Sequence, residues 1–309
     1  MSESEDQSRR KIVPFIWYDS EAEGAARLYT SLFPGGRITQ VSHYRGEGEH
    51  IHGQPAGKVM TVGFELDGQA FCGINGGPVF RPNPSISFFV HLDSHDKVDA
   101  LWAGLVDGGQ VLMALDAYPW STRYGWLSDR YGVSWQIAAW DRAAERQSII
   151  PSLMFTGDRD GRAAEAIDLY TSVFPNSARG AVRYRQTGDG QPRDSVLHGR
   201  FTLFGQSFSI MDGDGPHDFT FNEGVSLMVS CEDQAELDGY WAALTADGGS
   251  DMRCGWVRDR FGVFWQLVPT ALPRLMTSPD RALASRVTQA MLTMNRIDIA
   301  TLEAAARGE

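Results

Sequence analysis

Apolar residues fall in short blocks separated by Gly, Pro and Asp, and the order of the blocks predicts a repeated plan. Ile12 to Tyr18 is an apolar and aromatic run of strand length. Asp19 or Ser20 can cap a helix with Ala22, Ala25, Leu28, Leu32 and Phe33 at helical spacing, stopped by Pro34-Gly35-Gly36. Ile38 to Tyr44, Val59 to Leu66 and Ala70 to Ile74 have strand character, the last two joined by the hairpin signal Asp67-Gly68. A second unit follows. Ser85 to Leu92 predicts a strand, and Asp93 or Ser94 caps a helix carrying Val98, Leu101, Trp102 and Leu105 up to Gly108-Gly109. Val111 to Leu115, Gly125 to Ser128 and Val133 to Ala138 predict three more strands. The pattern is βαβββ followed by βαβββ, an α+β plan with helices on one face of mixed sheets.

The same plan returns downstream. YGWLSDRYGVSWQI at residues 124 to 137 and CGWVRDRFGVFWQL at residues 254 to 267 agree at eight of fourteen positions. Leu28-Tyr-Thr-Ser-Leu-Phe-Pro34 recurs as Leu169-Tyr-Thr-Ser-Val-Phe-Pro175, and Phe64 to Phe71 is echoed by Phe201 to Phe208. Matching phrases in the same order define a duplication. The division expected is a tail over 1–11, one domain over 12–140, a polar linker over 141–150, a second domain over 151–269 and a helical tail over 270–309. In that tail Ala284, Val287, Met291, Met294, Ile297 and Leu302 predict one or two helices docked on the domains. Gly46 to Gly57 and Gly188 to Asp194 are glycine-rich loops.

Length and charge narrow the class. The 309 residues suit two domains of ordinary size. The opening MSESEDQSRRKI has no apolar signal-peptide core, and no stretch approaches the roughly 20 apolar residues of a membrane helix, so a cytoplasmic protein is expected. A net charge of -11 with scattered Lys and Arg argues against a nucleic-acid partner. Cys72, Cys231 and Cys254 lack the number and spacing of a disulfide framework or zinc site and read as small buried thiols.

The candidate chemistry is sparse. Of His43, His50, His52, His91, His95, His198 and His217, only His50 and His52 have a spacing that could place two imidazoles together. Both lie in a glycine-rich loop beside Glu47 and Glu49, where exposed polarity is the plainer reading. Gly73 to Pro78 and Met211 to Pro216 read as turns leading to further strands, not as the strand-to-helix turn of a nucleotide-type cofactor site. Asp129 and Asp259 precede a glycine turn in each half and are expected to bond turn amides. Tyr118 to Trp126 concentrates four aromatics and Arg123 before the last hairpin, whereas the second half is about ten residues shorter there.

With paired βαβββ units, the LYxxxF helix, a GKVM strand start at Gly57 to Met60 and the GWLSDRYGVSWQI ending, each half resembles the glyoxalase/bleomycin-resistance (vicinal oxygen chelate) superfamily. More narrowly it resembles the PhnB-like branch that carries a demethylubiquinone methyltransferase label. The resemblance covers about residues 12–138 and 151–268 and implies two domains of paired modules whose curved sheets form a cup for a small molecule. It also implies an internal pseudo-dimer, with a homodimer as the alternative, because single-domain relatives pair. Enzymes of the superfamily hold a divalent metal through His and Glu. Here Gln136 and Gln266 stand in the usual Glu place, and the strand positions Ile12, Val13, Pro14, Phe71, Cys72, Ile74, Ser85, Ile86 and Ser87 supply neither ligand type. No cofactor is therefore expected, and a divalent metal is disfavoured.

Strand alternation puts Val133, Trp135 and Ile137 toward the helices and Ser134 and Gln136 toward the cup. In the second half Phe264 replaces Ser134, which predicts a more open cup in the N-terminal domain. Its expected ligand-binding residues are Trp17, Phe88, Trp120, Arg123, Tyr124, Ser134 and Gln136. The expected function is binding of a small organic ligand there, with a largely structural C-terminal repeat. The rival is a metal-dependent lyase, isomerase or dioxygenase of the same superfamily, and a methyltransferase comes third.

Overall fold

A computed structural model describes residues 11–140, 147–187 and 192–309. The expected tail over 1–11 and linker over 141–150 lie mostly outside the described residues. The first half contains β1 (Ile12–Tyr18), α1 (Ala22–Leu32), β2 (Arg37–His43), α2 (Glu49–His52), β3 (Val59–Leu66) and β4 (Gln69–Asn75). It continues with β5 (Ile86–Leu92), α3 (His95–Val106), β6 (Gln110–Tyr118), β7 (Ser121–Ser128) and β8 (Ser134–Ala139). The second half repeats this with β9 (Ile149–Phe155), α4 (Ala163–Val173), β10 (Ala178–Gln186), β11 (Pro192–Leu203) and β12 (Gln206–Asp212). Then come β13 (Val225–Cys231), α5 (Gln234–Thr245), β14 (Ser250–Asp251), β15 (Trp256–Arg258) and β16 (Phe264–Pro269). The tail from Pro279 onward forms the expected helices, α7 (Arg281–Leu292) and α8 (Ile299–Arg307), and a short helix, α6 (Ala271–Met276), precedes them.

The chain is α+β, with two homologous halves and two eight-stranded sheets. Each sheet takes one βαβββ module from each half. Sheet A runs β14-β15-β16-β13-β1-β4-β3-β2, and sheet B runs β10-β11-β12-β9-β5-β8-β7-β6. The modules join at their first strands by antiparallel pairing, Ile12 opposite Val229 in sheet A and Ile86 opposite Leu153 in sheet B. Asparagines tie the two connecting loops crosswise: Asn83 Nδ2 donates to Thr220 O and Asn222 Nδ2 to Arg81 O.

Burial shows what holds each half together. Tyr29 on α1 packs on Phe64 of β3 in sheet A and on Trp135 of β8 in sheet B, and Phe71 of β4 meets Phe88 of β5 edge-on at 5.0 Å. Tyr170, Phe174 and Trp265 repeat the arrangement in the second half. Each half thus packs its two modules through their helix-facing sides, while the opposite sides are left to form the cups. Small residues on α1, Ala22, Ala25 and Ala26, permit close approach to the sheet.

Caps and turns are set by local chemistry. Ser94 and Asp233 cap α3 and α5 by accepting from Lys97 N and Glu236 N. Neither Asp19 nor Ser20 caps α1. That role falls to Asn75 at the end of β4, whose Oδ1 accepts from Ala22 N, because the parallel pairing of β1 with β4 brings this side chain to the helix start. Asp67 and Gly68 both have positive φ, as the two-residue hairpin requires.

Candidate functional site

The cup side of sheet B is built by register. Across β7, β8, β5, β9, β12 and β11, residues directly opposite one another are Ser128, Ser134, Ser87, Ser152, Ser209 and Arg200. Four adjacent central strands therefore contribute a row of four buried serines, ending at an arginine. The corresponding row of sheet A reads Arg258, Phe264, Ser226, Phe15, Cys72 and Gly63. Two phenylalanines fill that row where sheet B has Ser134 and Ser152, and Phe15 packs edge-on against Trp256.

Hydrogen bonds in sheet B organise one end of the row. Trp126 Nε1 donates to Ser134 Oγ at 2.7 Å, Tyr124 Oη donates to Gln136 Oε1 at 2.8 Å, and Gln136 Nε2 donates to Ser87 Oγ at 2.9 Å. Burial raises the Tyr124 phenol well above its ordinary value, so it stays a proton donor. At the other end, Ser152 Oγ and Ser209 Oγ have no hydrogen-bond partner among the described residues, and each serine is 1% exposed. Beside them, Arg200 Nη2 lies 3.4 Å from His91 Nε2, and the His91 ring stacks on Trp140 at 5.2 Å. A hollow of about 140 Å³, lined in part by Gly180, Arg200, Thr202 and Ser207, opens alongside. Phe89, Tyr124, Ala138 and Ile150, with Met113, Tyr118 and Trp126 against them, form an apolar wall next to the polar row.

The seven residues expected from sequence do not all meet. Tyr124, Ser134 and Gln136 share the cup face, and Trp120 stands at the rim, 53% exposed and stacked on Tyr118. Phe88 faces the helices, because it lies opposite Trp135 in the register, and it packs on that ring at 5.3 Å. Arg123 has the parity opposite to Tyr124 and reaches Asp99 on α3 at 2.7 Å. Trp17 belongs to sheet A, where its Nε1 donates to Gly77 O. The aromatic segment belongs to a hairpin, since β6 and β7 extend to Tyr118 opposite Ser121 and turn at Pro119-Trp120.

Reading the halves separately missed Ser87, Ser152, Ser209, His91, His198 and Arg200. Alignment of the two halves carries one signal for them: Ile149-Ile-Pro-Ser152 against Ile12-Val-Pro-Phe15 marks a small polar residue where the repeat has a large ring. Asp129 and Asp259 do bond turn amides. Each carboxylate also accepts from a tyrosine and a tryptophan, Tyr29 and Trp135 in one half and Tyr170 and Trp265 in the other, all within 2.9 Å. Both acids face the core, away from the cups.

The phrase repeated over Gly125 to Gln136 and Gly255 to Gln266 sits within one profile matched twice, over residues 10–138 and 147–268, described as 3-demethylubiquinone-9 3-methyltransferase. The chain belongs to this family. A search of curated proteins finds no match. Among solved structures, a PhnB protein from Bacillus cereus is 34% identical, covering 42% of this chain and 100% of its own, with a TM-score of 0.39. Glyoxalase I from Zea mays is 10% identical over 84% of this chain and 94% of its own, with a TM-score of 0.51. A point mutant of that maize enzyme is 11% identical over the same shares, with a TM-score of 0.53. At that identity the likeness shows the fold, a two-domain vicinal oxygen chelate arrangement.

The donor set does not fit a metal of the superfamily kind. Gln136 spends its amide on Tyr124 and Ser87, and the Gln266 Nε2 donates to Ser226 Oγ. Among the described residues no three His, Cys, Asp or Glu side chains converge. His52 packs on Tyr44 at a tilt, its Nε2 donates to Glu47 O, and its Nδ1 accepts from Gln54 N. In the first half β1 leads to α1 through Asp19-Ser20-Glu21, without glycine, and the glycines after β4 lead to β5; in the second half the β9-to-α4 turn contains Gly157 and Gly161. No described helix is long and apolar enough to cross a membrane.

Proposed function

We propose that this protein binds a small organic molecule in the cup of sheet B, between β5–β8 of the first half and β9–β12 of the second. The observation that carries the reading is the contrast between equivalent rows: sheet B has the small, polar Ser134 and Ser152 where sheet A has Phe264 and Phe15. An apolar wall with a few oriented polar groups is the composition of a small-molecule site. Tyr124, Gln136 and Ser87 form a satisfied chain that orients a ligand, and Ser152 and Ser209 are left to bond it. The reading needs no resident metal or methyl donor, and sheet A is assigned a structural role.

A metabolite screen by thermal shift tests this. A compound that raises the melting temperature of the wild type should lose its effect in Ser134→Phe and keep it in Phe264→Ser. An effect that survives Ser134→Phe places the site elsewhere. Among the described residues His91 lies against Arg200, Tyr124 bonds Gln136 and His198 is opposite Arg183, so these titratable side chains are spread along the cup rather than gathered as an acid and base about one reacting position.

A further inference from the structure

We infer that the ligand of this cup is an organic anion, a carboxylate or phosphonate on an apolar body, with its charged end held by Ser152 and Ser209. The inference rests on the cup reading above and adds the charge and orientation of the occupant. Ser152 and Ser209 are directly opposite each other on β9 and β12, so their hydroxyls present two donors side by side. Neither has a partner among the described residues, although almost every buried hydroxyl in a folded protein finds one. Paired donors without an acceptor call for a group with two acceptor oxygens.

Cationic side chains flank them. Arg200 is opposite Ser209, and in the next row Arg183 on β10 is opposite His198 on β11. Arg183 makes no ion pair among the described residues. Burial, and then Arg200 and Arg183, depress the His198 imidazole to about 4, which reports a positive local field. The chain as a whole carries a charge of -11. Yet within β5, β8, β9 and β12 the only carboxylate is Asp212, which turns to the other face and accepts from Gly161 N and Ala163 N at the start of α4. Phe89 and Ile150 beside the row and Trp126 at its far end supply an apolar surface for the body of such an anion.

Calorimetric titration with benzoate and phenylphosphonate, against benzamide and benzyl alcohol as neutral probes of similar shape, tests the inference. The anions should bind the wild type at least about tenfold more tightly than the neutral probes. Ser152→Ala combined with Ser209→Ala should weaken the anions about fivefold or more while leaving benzamide unchanged, and Arg183→Gln should weaken them by a factor that grows as salt is lowered. Equal or tighter binding of the neutral probes, anion binding indifferent to the double substitution, or no binding of either anion overturns the inference. Loss of a neutral probe in Ser134→Phe would then leave the cup reading standing, whereas binding of any probe that persists unchanged in Ser134→Phe removes both.

Discussion

Asp129 and Asp259 show how one residue can carry a half's architecture. Each carboxylate receives four donors: a tyrosine from the first helix of the half, a tryptophan from its last strand, and two amides of the turn between. Burial pushes both acids above the ordinary carboxylate range against the pull of these donors. Replacing Asp129 by Ala leaves four donors buried without an acceptor, which should cost at least about 3 kcal/mol in urea unfolding. A cost below about 1 kcal/mol would show that water or a shifted side chain serves the donors equally well. His198 offers a pH test with a definite sign. Its folded value of about 4 lies below its ordinary 6.5, so its contribution to stability is full above pH 6.5 and is lost as pH falls from there toward 4. His198→Gln should therefore lose less melting temperature than the wild type between pH 7 and pH 5. An identical loss in both proteins would contradict the assignment.

At the scale of elements, hydrophobic alternation was enough to place the strands and the two long helices of each half, because a strand with one face on a core must repeat every two residues. It was not enough to choose partners. Ile12 to Tyr18 presents the same alternating faces whether its neighbour is a strand of its own half or β13 of the other. Faces at the cup were readable for Ser134 and Gln136 from their own strand. Phe88, opposite Trp135, and Arg123, alternate to Tyr124, lie on the other face of the sheet, which register between strands decides. The tail illustrates a different limit. Its periodicity predicts helices but not where they dock, which is decided by single backbone bonds: Cys254 N to Met294 O and Gly255 N to Asn295 O, each at 2.8 Å. Ala284, Val287, Ile297 and Leu302 are buried by this docking. Removing residues 279–309 should lower the melting temperature by several degrees and speed hydrogen exchange at the Cys254 and Gly255 amides. Unchanged exchange there would mean that the tail is an ornament on sheet A.

At the scale of the molecule, duplication and strand sharing together let the two sheets differ although the two halves are alike. Each half supplies one module to each sheet, so neither cup belongs to a single half, and one cup can fill with aromatic rings while the other keeps its serines. Consecutive division of the chain follows the repeat, whereas each sheet draws on both halves. The central claim is accordingly that the binding cup is shared, with Ser134 from one half and Ser152 from the other lining the same row. The most direct test is calorimetric titration of Ser152→Phe with whichever compound stabilises the wild type and is lost in Ser134→Phe. The shared cup predicts that Ser152→Phe, although it alters only the second half, abolishes the binding heat while the protein still unfolds cooperatively. Binding of normal affinity in Ser152→Phe would contradict it and return the site to residues of the first half alone.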